Sequence, residues 1–267
     1  LAVIGQSGKS GEGVTDEEVR TIIAEAESAG VLESEERHMI SGVMRFADRN
    51  ARGLMTPRLD VELIDLSDPE AEILKTLRET RHSVIPVQDG GSDQIVGVIV
   101  RKDLLEQLFA NEPVDVRALV RQVPVVLDRA DSLHVLGAIR AAMVHVALVF
   151  DEYGHFEGLI TAGDILEAIT GSFLEEDGEE PAFVKREDGS FLVSGWMPVD
   201  EFQDRIGVPV PKDPEYETVA GFVLAELNHL PNVGEIFERE PWRFEVLDMD
   251  GRRIDKVLVT RVAATAT

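Results

Sequence analysis

Two stretches of this sequence place polar groups where a strand gives way to a helix. In Gly158-Leu159-Ile160-Thr161-Ala162-Gly163-Asp164, a glycine and two apolar residues lead to a threonine and, three positions on, an aspartate. A strand ending at Thr161 and a helix beginning near Asp164 bring a hydroxyl and a carboxylate together, where they can take the 2′- and 3′-hydroxyls of a ribose. The helix N-terminus beside them favours a phosphate. A plainer reading requires no ligand, since Asp164 also suits a helix N-cap. A weaker version, Gly97-Val98-Ile99-Val100-Arg101-Lys102-Asp103, lies 61 residues earlier; Val100 takes the hydroxyl position and leaves Asp103 without that partner.

Other chemistry finds less footing. The absence of cysteine removes disulfides, thiolate metal sites and cysteine nucleophiles, and fits a reducing compartment. His38, His82, His134, His145, His155 and His229 never fall at a metal-ligand spacing such as i, i+4, so zinc is not expected and any metal site is left unassigned. No serine sits in a Gly-x-Ser-x-Gly elbow, and 51 acidic residues are too many for any two to be singled out as acid and base. Gly5–Ser10 ends like a phosphate-binding P-loop, but the glycine that motif needs at position 3 is Val3. These residues read as a non-enzyme.

A formal net charge of −25 repels nucleic acid and anionic lipid and permits cations or basic partners; it also serves plain solubility. The longest apolar stretches, such as Ile95–Val100 and Val144–Phe150, are strand-length, against roughly 20 residues needed to cross a bilayer. Residues 1–13 lack the apolar core of a signal peptide and read as a Gly/Ser-rich disordered linker.

The elements that must position the two motifs follow from periodicity. Thr15-Asp16-Glu17-Glu18 is a capping box, with Val19, Ile22, Ile23 and Ala26 at helical spacing behind it. Gly30 stops that helix. Ser34 starts another carrying Met39, Ile40, Val43 and Phe46, which makes 14–54 an acidic helical hairpin. An internal repeat follows, 55–115 and 116–174. Leu63-Ile64, the helix face Ile73, Leu74 and Leu77, then Val84–Val87 and Gly97–Val100 match Val125-Val126, Val135, Leu136 and Ile139, Val146–Val149 and Gly158–Thr161. Each copy closes with a two-residue turn, an aspartate and an amphipathic helix. A strand-helix-strand-strand-helix unit leaves one apolar sheet face open, so the copies are expected to pack face to face. An acidic linker at 175–182 leads to a small α+β domain, 183–267. There Ser190–Val193, Trp242–Leu247 and Arg253–Val262 read as strands, Val199–Ile206 and Thr218–Leu227 as helices, and Asp250-Gly251 as a tight turn.

Met55-Thr56-Pro57-Arg58, then Asp151-Glu152-Tyr153-Gly154 leading into Gly158–Ile169, then Thr218–Leu224 and Leu230-Pro231-Asn232-Val233-Gly234-Glu235 stand in an order and spacing that resemble the cytosolic part of the CorC/HlyC family of hemolysin-like and magnesium/cobalt efflux proteins. The resemblance implies an α+β fold: the helical hairpin, a tandem pair of CBS domains built as βαββα repeats, and a transporter-associated domain similar to half of a PCMH-type FAD-binding fold. It implies an adenine-nucleotide-binding regulatory module on the cytoplasmic side of the inner or plasma membrane. That module would be the soluble part of a divalent cation (Mg/Co) transport protein, with a transmembrane domain ahead of the hairpin and a homodimer formed through the CBS pair.

Carried over by position, the family pattern has Thr56 bonding the base, His82 stacking on it or bordering it, Leu159 as an apolar wall, and Thr161 with Asp164 holding the ribose. Asp103 marks a weaker second site. Val84 stands where many members carry an arginine suited to phosphate, which moves the expectation from ATP, with or without Mg²⁺, towards AMP or adenosine. FAD in the C-terminal domain has little support, because there is no Gly-rich fingerprint, and Trp196 and Trp242 read as core or interface residues. A ligand-free dimerising scaffold is the competing reading, favoured by Val84 and Val100. A hemolytic role has no amphipathic membrane-active stretch behind it.

Overall fold

Thr15 opens the first helix, α1 (Asp16–Ser28), through the expected capping box: its hydroxyl accepts the Glu18 N–H while the Glu18 carboxylate accepts the Thr15 N–H. Gly30, at φ 71°, turns the chain out of it. The second helix, α2 (Ser34–Asp48), begins with Ser34 already inside; the residue that caps it is Glu33, whose N–H donates to the Glu36 carboxylate at 2.9 Å. α1 buries nothing, whereas α2 buries Gly42, Arg45 and Phe46. The computed structural model describes residues 15–91, 93–109, 114–171, 181–211 and 214–262. The expected linker at 1–13, the P-loop-like Gly5–Ser10 and most of the acidic linker lie outside them. Among the described residues no helix is long and apolar enough to cross a membrane.

The repeat begins with a strand too short for any periodicity to reveal, β1 (Thr56–Pro57), followed by β2 (Ile64–Asp65), α3 (Glu70–Glu79), β3 (Val84–Gln88), β4 (Ile95–Val100) and α4 (Arg101–Phe109). The second copy adds β5 (Val120–Arg121), β6 (Val125–Leu127), α5 (Ser132–Ala141), β7 (Val146–Phe150), β8 (Phe156–Thr161) and α6 (Ala162–Thr170). Two four-stranded sheets result, β2-β3-β4-β5 and β1-β8-β7-β6, so the first strand of repeat one completes the sheet of repeat two. Thr56 lies opposite Leu159, and at the matching place in the other sheet Arg121 lies opposite Val98. Glycine is required at both junctions because the backbones nearly touch: a Cβ on Gly158 would stand 2.2 Å from the Thr56 carbonyl oxygen, and one on Gly97 would stand 2.5 Å from that of Arg121.

One expectation fails at these junctions. No two-residue turn separates strand from helix; α4 and α6 start at Arg101 and Ala162, directly after Val100 and Thr161, and put Asp103 and Asp164 in their first turns.

Each repeat has its own core. Leu77, Ile85, Ile99 and Leu104 fill the first; Val135, Ile139, Val149, Ile160 and Ile165 fill the second, joined by Phe46 from α2. A further cluster of Val98, Leu148, Phe156 and Leu159, with Val84 packed against it, draws on both sheets and closes the seam between the repeats. α2 crosses α6 backbone to backbone, since a Cβ on Gly42 would lie 1.9 Å from the Ile169 carbonyl oxygen.

The C-terminal domain holds β9 (Phe183–Lys185), β10 (Phe191–Ser194), α7 (Val199–Ile206), α8 (Val219–Leu227), β11 (Ile236–Arg239), β12 (Trp242–Asp250) and β13 (Arg253–Arg261). Its antiparallel sheet runs β11-β12-β13-β10-β9, with Gly251 at φ 59° in the hairpin turn. Phe202, Phe222 and Phe244 are fully buried between helices and sheet, and Trp242 joins them. Trp196 does not belong to this core: it follows Gly195 in a turn and is 44% exposed.

Candidate functional site

β8 delivers Thr161 in extended conformation (φ −102°, ψ 168°) to the start of α6. The cap is therefore Thr161, and Asp164 is the third helical residue reaching back to it. The Thr161 Oγ1 accepts the Asp164 N–H at 3.2 Å, and the Asp164 Oδ2 accepts the Thr161 N–H at 2.7 Å. This reciprocal box satisfies two donors that a helix start would otherwise leave orphaned. It leaves chemistry over: the Thr161 hydroxyl still carries its proton, and among the described residues nothing bonds the Asp164 Oδ1. One donor beside one acceptor complements a vicinal diol. Burial pushes the Asp164 carboxyl above its usual range, against the two hydrogen bonds to Thr161 that pull it down.

Thr56 and Leu159 join this pair. Thr56, on the edge strand β1, lies directly opposite Leu159 on β8, Thr56 half-buried and Leu159 buried in the seam cluster. His82 stands apart from the four: it is exposed, two residues ahead of β3 in the other sheet, and its N–H donates to Thr80 Oγ1 at 3.1 Å. Its link to the group is indirect, through Val84, which packs against the cluster containing Leu159.

The weaker motif is organised differently: Val100 offers Asp103 no hydroxyl, and an arginine the sequence did not point to pairs with it instead. Arg121, which occupies in repeat one the place of Thr56, donates from Nε to Asp103 Oδ2 at 2.9 Å. The pair borders an open cleft of about 270 Å³ that Glu106, Gln107, Ala118 and Leu119 also line. A larger cleft of about 350 Å³ lies between Leu66–Ile73 and Val114–Arg117. Neither cleft reaches Thr56, His82, Leu159, Thr161 or Asp164. Arg121 escaped the sequence reading because only strand pairing aligns it with Thr56. Among the described residues no group of three or more His, Asp or Glu is placed to hold a metal ion.

The CBS domain family matches residues 51–110 and 115–171, and the CorC_HlyC transporter associated domain matches 184–263. The chain is 34% identical to the UPF0053 inner membrane protein YoaE of Escherichia coli, covering 87% of this chain and 45% of that protein. It is 29% identical to the polyamine export protein of E. coli, covering 95% and 57%. The chain spans about half the length of the curated relatives it matches. Among solved structures, the CBS domain of the bacterial CNNM/CorC family Mg²⁺ transporter in complex with an inhibitor superposes with a TM-score of 0.54 at 31% identity, covering 60% of this chain and all of that one.

Proposed function

This chain, with its CBS pair and its CorC_HlyC transporter-associated domain, belongs to the UPF0053 family, and from that premise we propose that it is the nucleotide-responsive regulatory module of a membrane cation transporter. The observation that carries the reading is the Thr161–Asp164 box at the end of β8, with Thr56 on the edge strand opposite Leu159, two residues before Thr161. Thr161 and Asp164 take the ribose diol, Thr56 bonds the base, Leu159 forms the wall, and His82 borders the base from the other repeat. The related Mg²⁺ transporter CBS domain, which takes an inhibitor, supports a small-molecule site. The module binds and transmits; it catalyses nothing. Its cargo partner is a transmembrane domain of the inner membrane, for which it would lie on the cytoplasmic face as a CBS-paired homodimer. Mg²⁺ or Co²⁺ is the first cargo to test, and an organic polycation the second, given the polyamine-exporting relative. Hairpin 14–54, repeats 55–115 and 116–174, linker 175–182 and domain 183–267 are the proposed units.

Val84, half-buried against the seam, offers no charge to a phosphate chain, so AMP is expected to match or exceed ATP, with or without Mg²⁺. Calorimetric titration of AMP, ADP and ATP, with and without Mg²⁺, into the wild type and Asp164→Ala tests the site. Saturable binding lost in the variant is the expected result. Silence from all three nucleotides selects the dimerising scaffold, a reading that the closed Arg121–Asp103 pair and Val100 favour in repeat one. FAD remains a ligand to test in the C-terminal domain by the absorbance of the purified protein.

A further inference from the structure

The segment that carries Thr56 is gripped on both sides by the C-terminal domain. Upstream, Arg49 forms a fork with Asp200 of α7, Nε to Oδ2 at 2.7 Å and Nη2 to Oδ1 at 2.5 Å, and its side chain is only 9% exposed. One turn earlier, Arg45, 5% exposed, reaches Asp204 of the same helix at 2.7 Å. Asn50 Nδ2 donates to Glu217 Oε1 at 3.1 Å, and a Cβ on Gly53 would stand 2.9 Å from Glu217 Oε2. Downstream, Arg253, the first residue of β13 just past the hairpin turn, meets Asp60 at 3.3 Å.

Between the grips the chain is fixed to repeat two, Ala51 N–H to Ala130 O and Arg52 N–H to Asp128 O, both at 2.8 Å, and then runs as β1 along β8. α2, which supplies Arg45 and is capped by Arg49, also lies on α6, the helix whose cap is Thr161. The C-terminal domain therefore cannot move against the CBS pair without releasing these contacts or shifting Thr56 along β8.

We infer that the C-terminal domain is a second regulator of the Thr56–Asp164 site, coupled to it reciprocally through residues 49–60; this rests on the proposed nucleotide site. The two grips are unequal. Arg45 and Arg49 are nearly buried, so losing an aspartate strands a desolvated charge, whereas Arg253 and Asp60 are 52% and 44% exposed and form a weak, screened contact. α7 is the hinge side and the hairpin turn the side free to swing. Because binding couplings are reciprocal, whatever pulls on the C-terminal domain must change nucleotide affinity, and nucleotide must change the hold on that domain.

The test is the double variant Asp200→Asn with Arg253→Ala, both substitutions outside the nucleotide site, titrated with AMP and ATP beside the wild type. Loss of preorganisation at Thr56 is expected to weaken binding about fivefold or more. Unchanged affinity in a folded double variant overturns the inference. If the wild type itself binds neither nucleotide, the site reading fails, and amide hydrogen exchange at Ala51–Arg58 decides the coupling instead. Faster exchange in the variant supports it, and identical exchange overturns it. Should the double variant not fold, the exposed Arg253→Ala alone is read in the same two ways, with a smaller change expected.

Discussion

The junctions Val100–Asp103 and Thr161–Asp164 share a backbone plan: an apolar strand, a helix beginning on the next residue, an aspartate in its first turn, and a glycine that lets an edge strand approach. Their chemistry diverges because different residues sit on that plan. In repeat two, threonine closes a capping box that still shows one donor and one acceptor, and the residue across the sheet edge is a small hydroxyl, Thr56. In repeat one, valine removes the box and Arg121 in the Thr56 place satisfies Asp103 with its own guanidinium. The helices differ as well. α2 crosses α6 at Ile169, while Leu166 of α6 stays 50% exposed; α4 leaves Leu108 37% and Phe109 85% exposed. The two junctions share a scaffold, and the chemistry of each depends on which residue the edge strand lays opposite it.

The largest difference between the repeats is expected at the covered helix. Gly42→Ala places a methyl against the Ile169 backbone, which cannot move aside as a flexible side chain would. Urea unfolding should show a loss of about 3 kcal/mol, the upper end for overpacking. Leu108, 61 positions before Ile169, has no such cover, and Leu108→Ala should move stability by only about 0.5 kcal/mol. Equal losses from the two would mean α2 is not an integral layer of repeat two.

A smaller effect separates the aspartates. Asp164→Ala removes half of a capping box and should cost about 1 kcal/mol, whereas Asp103→Ala breaks an ion pair whose arginine is 56% exposed and should cost a few tenths, about 0.3 kcal/mol. Thermal melts of the two variants under one buffer decide it, and the reverse order would put the built junction in repeat one.

The smallest effect concerns pH. His38 of α2 lies where the end of α6 meets α7; burial first, then Arg45, Arg205 and Arg37, push its pKa below 6.5, and Glu201 opposes them. A histidine that resists protonation when folded contributes its full stability above the unfolded pKa of about 6.5 and loses it as pH falls through the lowered folded value. The melting temperature of the wild type should therefore fall relative to His38→Gln on acidification below pH 6.5, and parallel curves would remove His38 from the α2 interface.

Much of this molecule was legible because local signals and the fold agree. The Thr15 and Glu18 box, the buried faces Ile73/Leu77 and Val135/Ile139, and helix Val199–Ile206 are written in spacings of three and four, and strands such as Val146–Phe150 in runs of branched residues. The Thr161 and Asp164 pairing is legible as residue types three apart, but not which of them caps the helix, because strand and helix abut with no turn between them.

Residue types and their periods determined the two repeats, the seam between them and a polar junction in the second. Only the tertiary structure decided that Arg121 stands where Thr56 stands, that Trp196 is outside the core, and that Arg45 and Arg49 answer to Asp204 and Asp200. The physical reason is range. Helix caps and amphipathic faces are set within one turn of chain, but a strand of two residues or an ion pair spanning more than 150 positions has no local period, and forms only once the packed cores bring its ends together.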